Sequence, residues 1–173
     1  MDRIVDECRR AIAWIWKNAA EIGVDPDGLY VAGHSAGAHL TTMLLATDWR
    51  SIDPALPALP FKGACGLSGL YDLEPIRLTF LNEVLGLTAD MAARNSPLYL
   101  DPLADIPLIL SVGERETSEF KRHQTELFAA WSAKGLAVDE VPAPDCHHYT
   151  IVEHFGDPAT DLHKAMIAMM RDD

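Results

Sequence analysis

One stretch, Leu29-Tyr30-Val31-Ala32-Gly33-His34-Ser35-Ala36-Gly37-Ala38-His39-Leu40, constrains this chain more than any other. It reads as a short apolar strand, a tight turn of small residues and the start of a helix. The turn spells G-x-S-x-G, the pattern of a nucleophile elbow. A serine on so sharp a strand-to-helix turn takes a strained backbone conformation, with neighbouring chain close on both sides. Glycine two residues before and two after is expected to leave the room that a side chain would fill. The hydroxyl then projects above a sheet, at the positive N-terminal end of the following helix. A bare pattern of this composition arises by chance in about one chain in fifteen to twenty of this length. The strand running in and the helix running out make this one informative.

The remaining chain repeats the same alternation. Val5, Cys8, Ile12, Ile15, Ala19 and Ile22 recur at steps of three and four, which predicts an amphipathic helix over residues 3–22, stopped by Gly23. Trp14 and Trp16 lie off that stripe and are expected to pack against neighbouring elements. A turn at 25–28 leads into the elbow strand, and the helix after Ser35 should run to about Thr47. A proline-rich loop covers 51–60. Phe61–Leu67 is almost wholly apolar and reads as a buried strand, with Ser68-Gly69-Leu70-Tyr71-Asp72 at its C-terminal end. Weaker helical patterns at 75–85 and 89–93 read as a small cap-like excursion over about 73–100. Pro107–Val112 predicts a third strand, 117–134 a helix carrying Phe120, Leu127 and Trp131 on one face, and Val138–Val141 a fourth strand. A loop through Pro142 and His148 and a helix over 158–171 complete the pattern. Strands alternating with helices predict one α/β domain over 1–173, with a mostly parallel sheet covered on both faces.

Composition narrows the function classes. A net charge of −12 argues against binding to nucleic acid or an anionic membrane surface. No apolar run is long enough to span a bilayer, and residues 1–7 have no signal-peptide core. Cys8, Cys65 and Cys146 are far apart and include no C-x-x-C pair, which suits reduced thiols in a cytoplasmic protein. Cys146 beside His147 and His148 lacks a second ligand cluster, so no metal site is expected.

A serine nucleophile needs a base within hydrogen-bond reach and an acid to orient that base. On an α/β scaffold of this kind they follow in the order serine, acid, histidine, at the C-terminal ends of successive strands. After the third strand come Gly113-Glu114-Arg115-Glu116. Glu116 sits at the expected offset, with Glu114 and Glu119 as competitors. After the fourth strand come His147 and His148, with His154 further on, and His148 is the chosen base. His34 and His39 flank the serine too closely in sequence to swing back onto it. His34, Leu70 and Tyr71 are candidate pocket residues.

The ordered segments GHSAGAHL, LSGLYDLEPI, LNEVLGLT, NSPL, VGERETSEF and CHHYTI resemble the α/β-hydrolases of the kynurenine formamidase (arylformamidase) type, relatives of the hormone-sensitive-lipase-like esterases. The resemblance covers nearly the whole chain. It implies an α/β-hydrolase fold and a Ser35–His148–Glu116 triad cleaving a small ester or formamide, N-formylkynurenine in the arylformamidases, without metal or organic cofactor. It also implies the backbone N–H of Ala36 as an oxyanion donor. The family often has aspartate at the position of Glu116. It also carries several strands before its elbow and a His-Gly-Gly loop that completes the oxyanion hole. Here one helix precedes the elbow strand and no His-Gly-Gly occurs, so the resemblance implies either the C-terminal portion of a longer protein or a shortened relative, with an open sheet edge in both cases. That edge is a route to self-association. The alternatives are a general carboxylesterase and a non-catalytic fragment that acts by binding or oligomerising.

Overall fold

The computed structural model describes residues 1–103 and 105–171. Helix α1 (Asp2–Lys17) lays Val5, Cys8, Ile12 and Trp16 inward. Trp14 is two residues from Trp16, on the far side of the helix, and is 56% exposed, so only one of the two tryptophans packs as expected. The helix expected to continue to residue 22 breaks at Asn18, whose side-chain amide donates to the Trp14 carbonyl at 2.7 Å. A single further turn, α2 (Ala19–Ile22), ends at Gly23 with φ 71°. Glycine takes that left-handed conformation without Cβ strain.

Four strands follow, β1 (Tyr30–His34), β2 (Gly63–Leu67), β3 (Leu108–Ser111) and β4 (Val138–Glu140). They form one sheet in the order β1-β2-β3-β4, parallel throughout. The crossovers carry α3 (Ala36–Leu45) and α4 (Trp49–Ile52), then α5 (Glu74–Arg77), α6 (Asn82–Leu85) and α7 (Ala89–Arg94), then α8 (Ser118–Ser132). Helices α9 (Thr150–Gly156) and α10 (Asp161–Met169) close the chain.

Side chains alternate across the sheet, as the pleat requires. Ala64, Leu108 and Leu110 face a core built with α1, α3 and α8, where Leu45, Leu127 and Trp131 are fully buried. Cys65, Leu67 and Ile109 face the other layer, packed on Ile151, Leu162 and Met166 of α9 and α10. Among the described residues β1 pairs only with β2, so it is an edge strand.

Three local readings of the sequence are corrected. Asp48 caps α4 by accepting the Ser51 N–H, so part of the expected loop is helical. The 75–85 pattern divides into α5 and α6, and the Asn82 side chain closes the second turn onto both backbone polar groups of Leu87. Residues 150–156 form α9, which the periodicity did not announce. The excursion has a small core of its own, Leu73, Leu87 and Ala92, and Arg94 ties it back to Asp2.

Candidate active site

The sheet register brings the C-terminal ends of β1, β2 and β3 level: His34 lies beside Leu67, and Leu67 beside Ser111. The chain leaves these ends by a repeated step, Ser35 N–H to Leu67 O and Ser68 N–H to Ser111 O, both 2.8 Å. Ser35 stands at φ 57° and ψ −117°, a conformation that costs a non-glycine residue about 1–3 kcal/mol. The expected symmetry of the flanking glycines does not hold. A Cβ on Gly33 would lie 2.2 Å from the Gly37 carbonyl oxygen, whereas a Cβ on Gly37 would meet nothing within 4 Å. The backbone of Gly37 creates the crowding, and Gly33 alone must yield to it.

Ser35 Oγ lies 3.0 Å from His148 Nε2, and His148 Nδ1 lies 2.8 Å from Glu116 Oε2. The residues are separated by more than a hundred positions in the first pair and 32 in the second. Glu116 is buried, its side chain 1% exposed. Its other oxygen, Oε1, accepts the Gly113 N–H at 2.9 Å and the Ser68 hydroxyl. The loop bearing His148 is clamped to the end of β3: Glu114 N–H donates to Ala143 O and Arg115 N–H to Cys146 O. The approach is so close that a Cβ on Gly113 would sit 2.5 Å from the Cys146 carbonyl oxygen.

The same geometry sorts the competitors. Glu114 accepts the Asp145 N–H, and Glu119 pairs with Arg122, both at the surface. His147 turns its Nδ1 onto the Tyr149 and Thr150 N–H groups, capping its own loop. His154 lies on α9, where its carbonyl accepts the Thr160 hydroxyl.

The pocket residues read from sequence divide. His34 donates from Nε2 to the His148 carbonyl at 2.6 Å and lies 4.5 Å from that ring, centroid to centroid. Burial lowers its pKa from the usual imidazole value. Phe120 covers His148 from another side at 4.4 Å. A shallow pocket of about 290 Å³ opens beside this ring, lined by Thr117, Phe120, His147 and Tyr149 among others. Leu70 is half-buried against the excursion core. Tyr71 is a correction: it is 1% exposed, and its ring lies against Gly69, in the main core rather than in a pocket. His39 is buried and donates to the Asn95 carbonyl at 2.7 Å. Ser68 and Phe120 are not among the site residues singled out from sequence; the signal for Ser68 is its place in the strand-end segment 68–72, whereas Phe120 reads only as part of the apolar face of its helix. Among the described residues no cluster of three metal-ligating side chains occurs.

A family model described as BD-FAE matches residues 2–65. A kynurenine formamidase from Danio rerio is 35% identical over 175 residues, covering 98% of this chain and 57% of its own length. Esterase LipQ from Mycobacterium tuberculosis is 38% identical over 160 residues, covering 84% of this chain and 38% of its own. A solved structure from Silicibacter sp. TM1040, whose suggested activity is that of a thioesterase, superposes with a TM-score of 0.75 at 28% identity. It covers 96% of this chain and 58% of that one. The chain therefore spans under three-fifths of each of these proteins. These likenesses and the parallel sheet give it the α/β-hydrolase fold.

Proposed function

We propose that the chain is a serine hydrolase acting on a small ester or formamide, with Ser35 as nucleophile, His148 as base and Glu116 as the acid that orients it. The observation that carries this reading is the unbroken hydrogen-bonded series from Ser35 Oγ to the buried Glu116 carboxylate. His148 Nε2 takes the hydroxyl proton as Oγ attacks the carbonyl carbon. Glu116 holds the imidazole in the tautomer that leaves Nε2 free to do so. The N–H of Ala36, in the first turn of α3, has no partner within its helix and faces the negative charge that develops on oxygen. Collapse of the tetrahedral species expels the alcohol or amine, which takes the proton from His148. Water then attacks the acyl or formyl ester with His148 again as base, releasing the acid and restoring Ser35.

The finer substrate reading, a formamide of the N-formylkynurenine type, is supported by the 35% identity to a kynurenine formamidase. The esterase relative favours a broader second reading, a general carboxylesterase. Comparing kcat/KM for N-formylkynurenine with that for p-nitrophenyl acetate separates the two.

Only one oxyanion donor can be named, and no His-Gly-Gly occurs in this chain. Loss of one such donor lowers kcat by about 10²–10³, so turnover by this chain is expected to be weak. The test is hydrolysis of p-nitrophenyl acetate by wild type and Ser35→Ala. Slow release abolished by the substitution supports the reading. Equal release by both proteins, without labelling of Ser35 by a fluorophosphonate, would overturn it in favour of a non-catalytic binding protein.

A further inference from the structure

We propose that Ser68 is a positioning residue for this site: its hydroxyl fixes the Glu116 carboxylate so that one oxygen, and only one, is presented to His148. The role rests on the hydrolase reading above. Ser68 is 1% exposed and stands directly after β2, whereas Glu116 lies in the loop that follows β3. Its Oγ–H donates to Glu116 Oε1, the oxygen that also accepts the Gly113 N–H. Oε2 is thereby left to His148 Nδ1.

Two features separate this contact from an incidental one. Ser68 has φ 49°, a left-handed conformation that is unfavourable for any residue with a Cβ and natural for glycine. The fold places a hydroxyl there despite the strain, and the hydroxyl is what glycine would lack. The turn is also held from behind: the Tyr71 and Asp72 N–H groups both donate to His123 Nδ1 at 3.2 Å, and the Tyr71 ring lies on Gly69. The hydroxyl is therefore delivered to Glu116 by a rigid turn. The acid itself explains the need. Glutamate has one more methylene than aspartate and more rotamers to lose, and two donors on Oε1 leave its carboxylate a single orientation.

The test uses the full chain as wild type, Ser68→Ala and Ser68→Gly. Ser68→Ala removes the hydroxyl and keeps the strain, whereas Ser68→Gly removes both. The first readout is the far-downfield proton resonance of His148 Nδ1–H in its hydrogen bond to Glu116. It requires no turnover. The second is the kinetics of p-nitrophenyl acetate hydrolysis. Both variants are expected to lose or broaden the proton signal and to drop about tenfold in kcat with KM little changed, the loss of one hydrogen bond to a charged group. Ser68→Gly, although relieved of strain, should not recover. In a Glu116→Ala background, Ser68→Ala should cost almost nothing further, because both act through one group. An unchanged signal and kcat in both variants, or an equal cost in the Glu116→Ala background, overturns the assignment. Absence of the downfield proton in wild type overturns it too. If wild type shows the proton but no turnover, the hydrolase reading fails while the signal still decides the role of Ser68.

Discussion

Gly33→Ala and Gly37→Ala are the same chemical change at the two glycines of one motif, and the structure assigns them opposite effects. At Gly33 the new methyl would lie 2.2 Å from the Gly37 carbonyl oxygen, 2.3 Å from its carbon and 2.8 Å from the Ala38 nitrogen. All three are backbone atoms, so no rotamer change relieves the contact. The end of β1 and the start of α3 must separate by about 1 Å to restore van der Waals distance. That junction holds Ser35 N–H to Leu67 O at 2.8 Å and the Ala38 and His39 N–H groups to Ser35 O at 3.1 and 3.2 Å. Weakening these bonds costs up to about 1 kcal/mol each. Loosening the fully buried Ala38 and Leu45 against the sheet adds about 1–3 kcal/mol. The sum, about 1–6 kcal/mol, reaches a large share of a domain's stability of about 5–15 kcal/mol. At Gly37 a methyl meets nothing and the residue is helical, so alanine gains up to about 1 kcal/mol of helix propensity. Urea unfolding followed by fluorescence of the buried Trp49 and Trp131 measures both. A Gly33→Ala protein within about 1 kcal/mol of wild type, or a Gly37→Ala protein as damaged as Gly33→Ala, would refute the reasoning.

Acid sensitivity should come partly from His39. Burial lowers its pKa below 6.5, opposed by its bond to the Asn95 carbonyl and aided by the N-terminal ammonium. The unfolded chain then takes up the proton first. Stability is full above pH 6.5 and falls as pH drops through that value, by up to about 1.4 kcal/mol per pH unit. His39→Asn should flatten the urea-unfolding profile between pH 7 and 5, and parallel profiles would contradict the assignment. The hydrogen bonds from Arg94 and then Asn95 hold Asp2 at about 2, against 3.8 in the unfolded chain. Their stabilisation is present above pH 3.8 and disappears as pH falls through about 2. With both partners of the ion pair half exposed it amounts to at most about 1 kcal/mol. Asp2→Asn should therefore unfold more easily than wild type at pH 6 and equally at pH 2. Val84, 91% exposed, should tolerate lysine with less than about 0.5 kcal/mol change in the same assay.

How far the site was legible follows from the range of the interactions that build it. Ser35 was readable because a strand, a sharp turn and a helix are encoded within a dozen neighbouring residues. Glu116 and His148 were readable as members of short lists, since a parallel α/β chain brings each strand's C-terminal end to one edge. Choosing between Glu114, Glu116 and Glu119, or between His147 and His148, was a different matter. The choice depends on how closely the loop at 143–146 meets Gly113, a contact between backbones some thirty residues apart. Tyr71 shows the opposite error: it follows a strand end where ligands gather, yet its ring turns inward against Gly69.

The sequence by itself determined the alternation of strands and helices, the parallel sheet and the elbow, because short apolar runs, period-3.6 patterns and small-residue turns are local properties of the chain. Only the tertiary structure decided which glycine the elbow needs, which carboxylate faces which imidazole, and that Ser68 holds the far oxygen of Glu116. These are meetings of atoms from different strand ends at hydrogen-bond or sub-van-der-Waals distance. Sheet register and loop docking set such distances, and no periodicity along the chain records them.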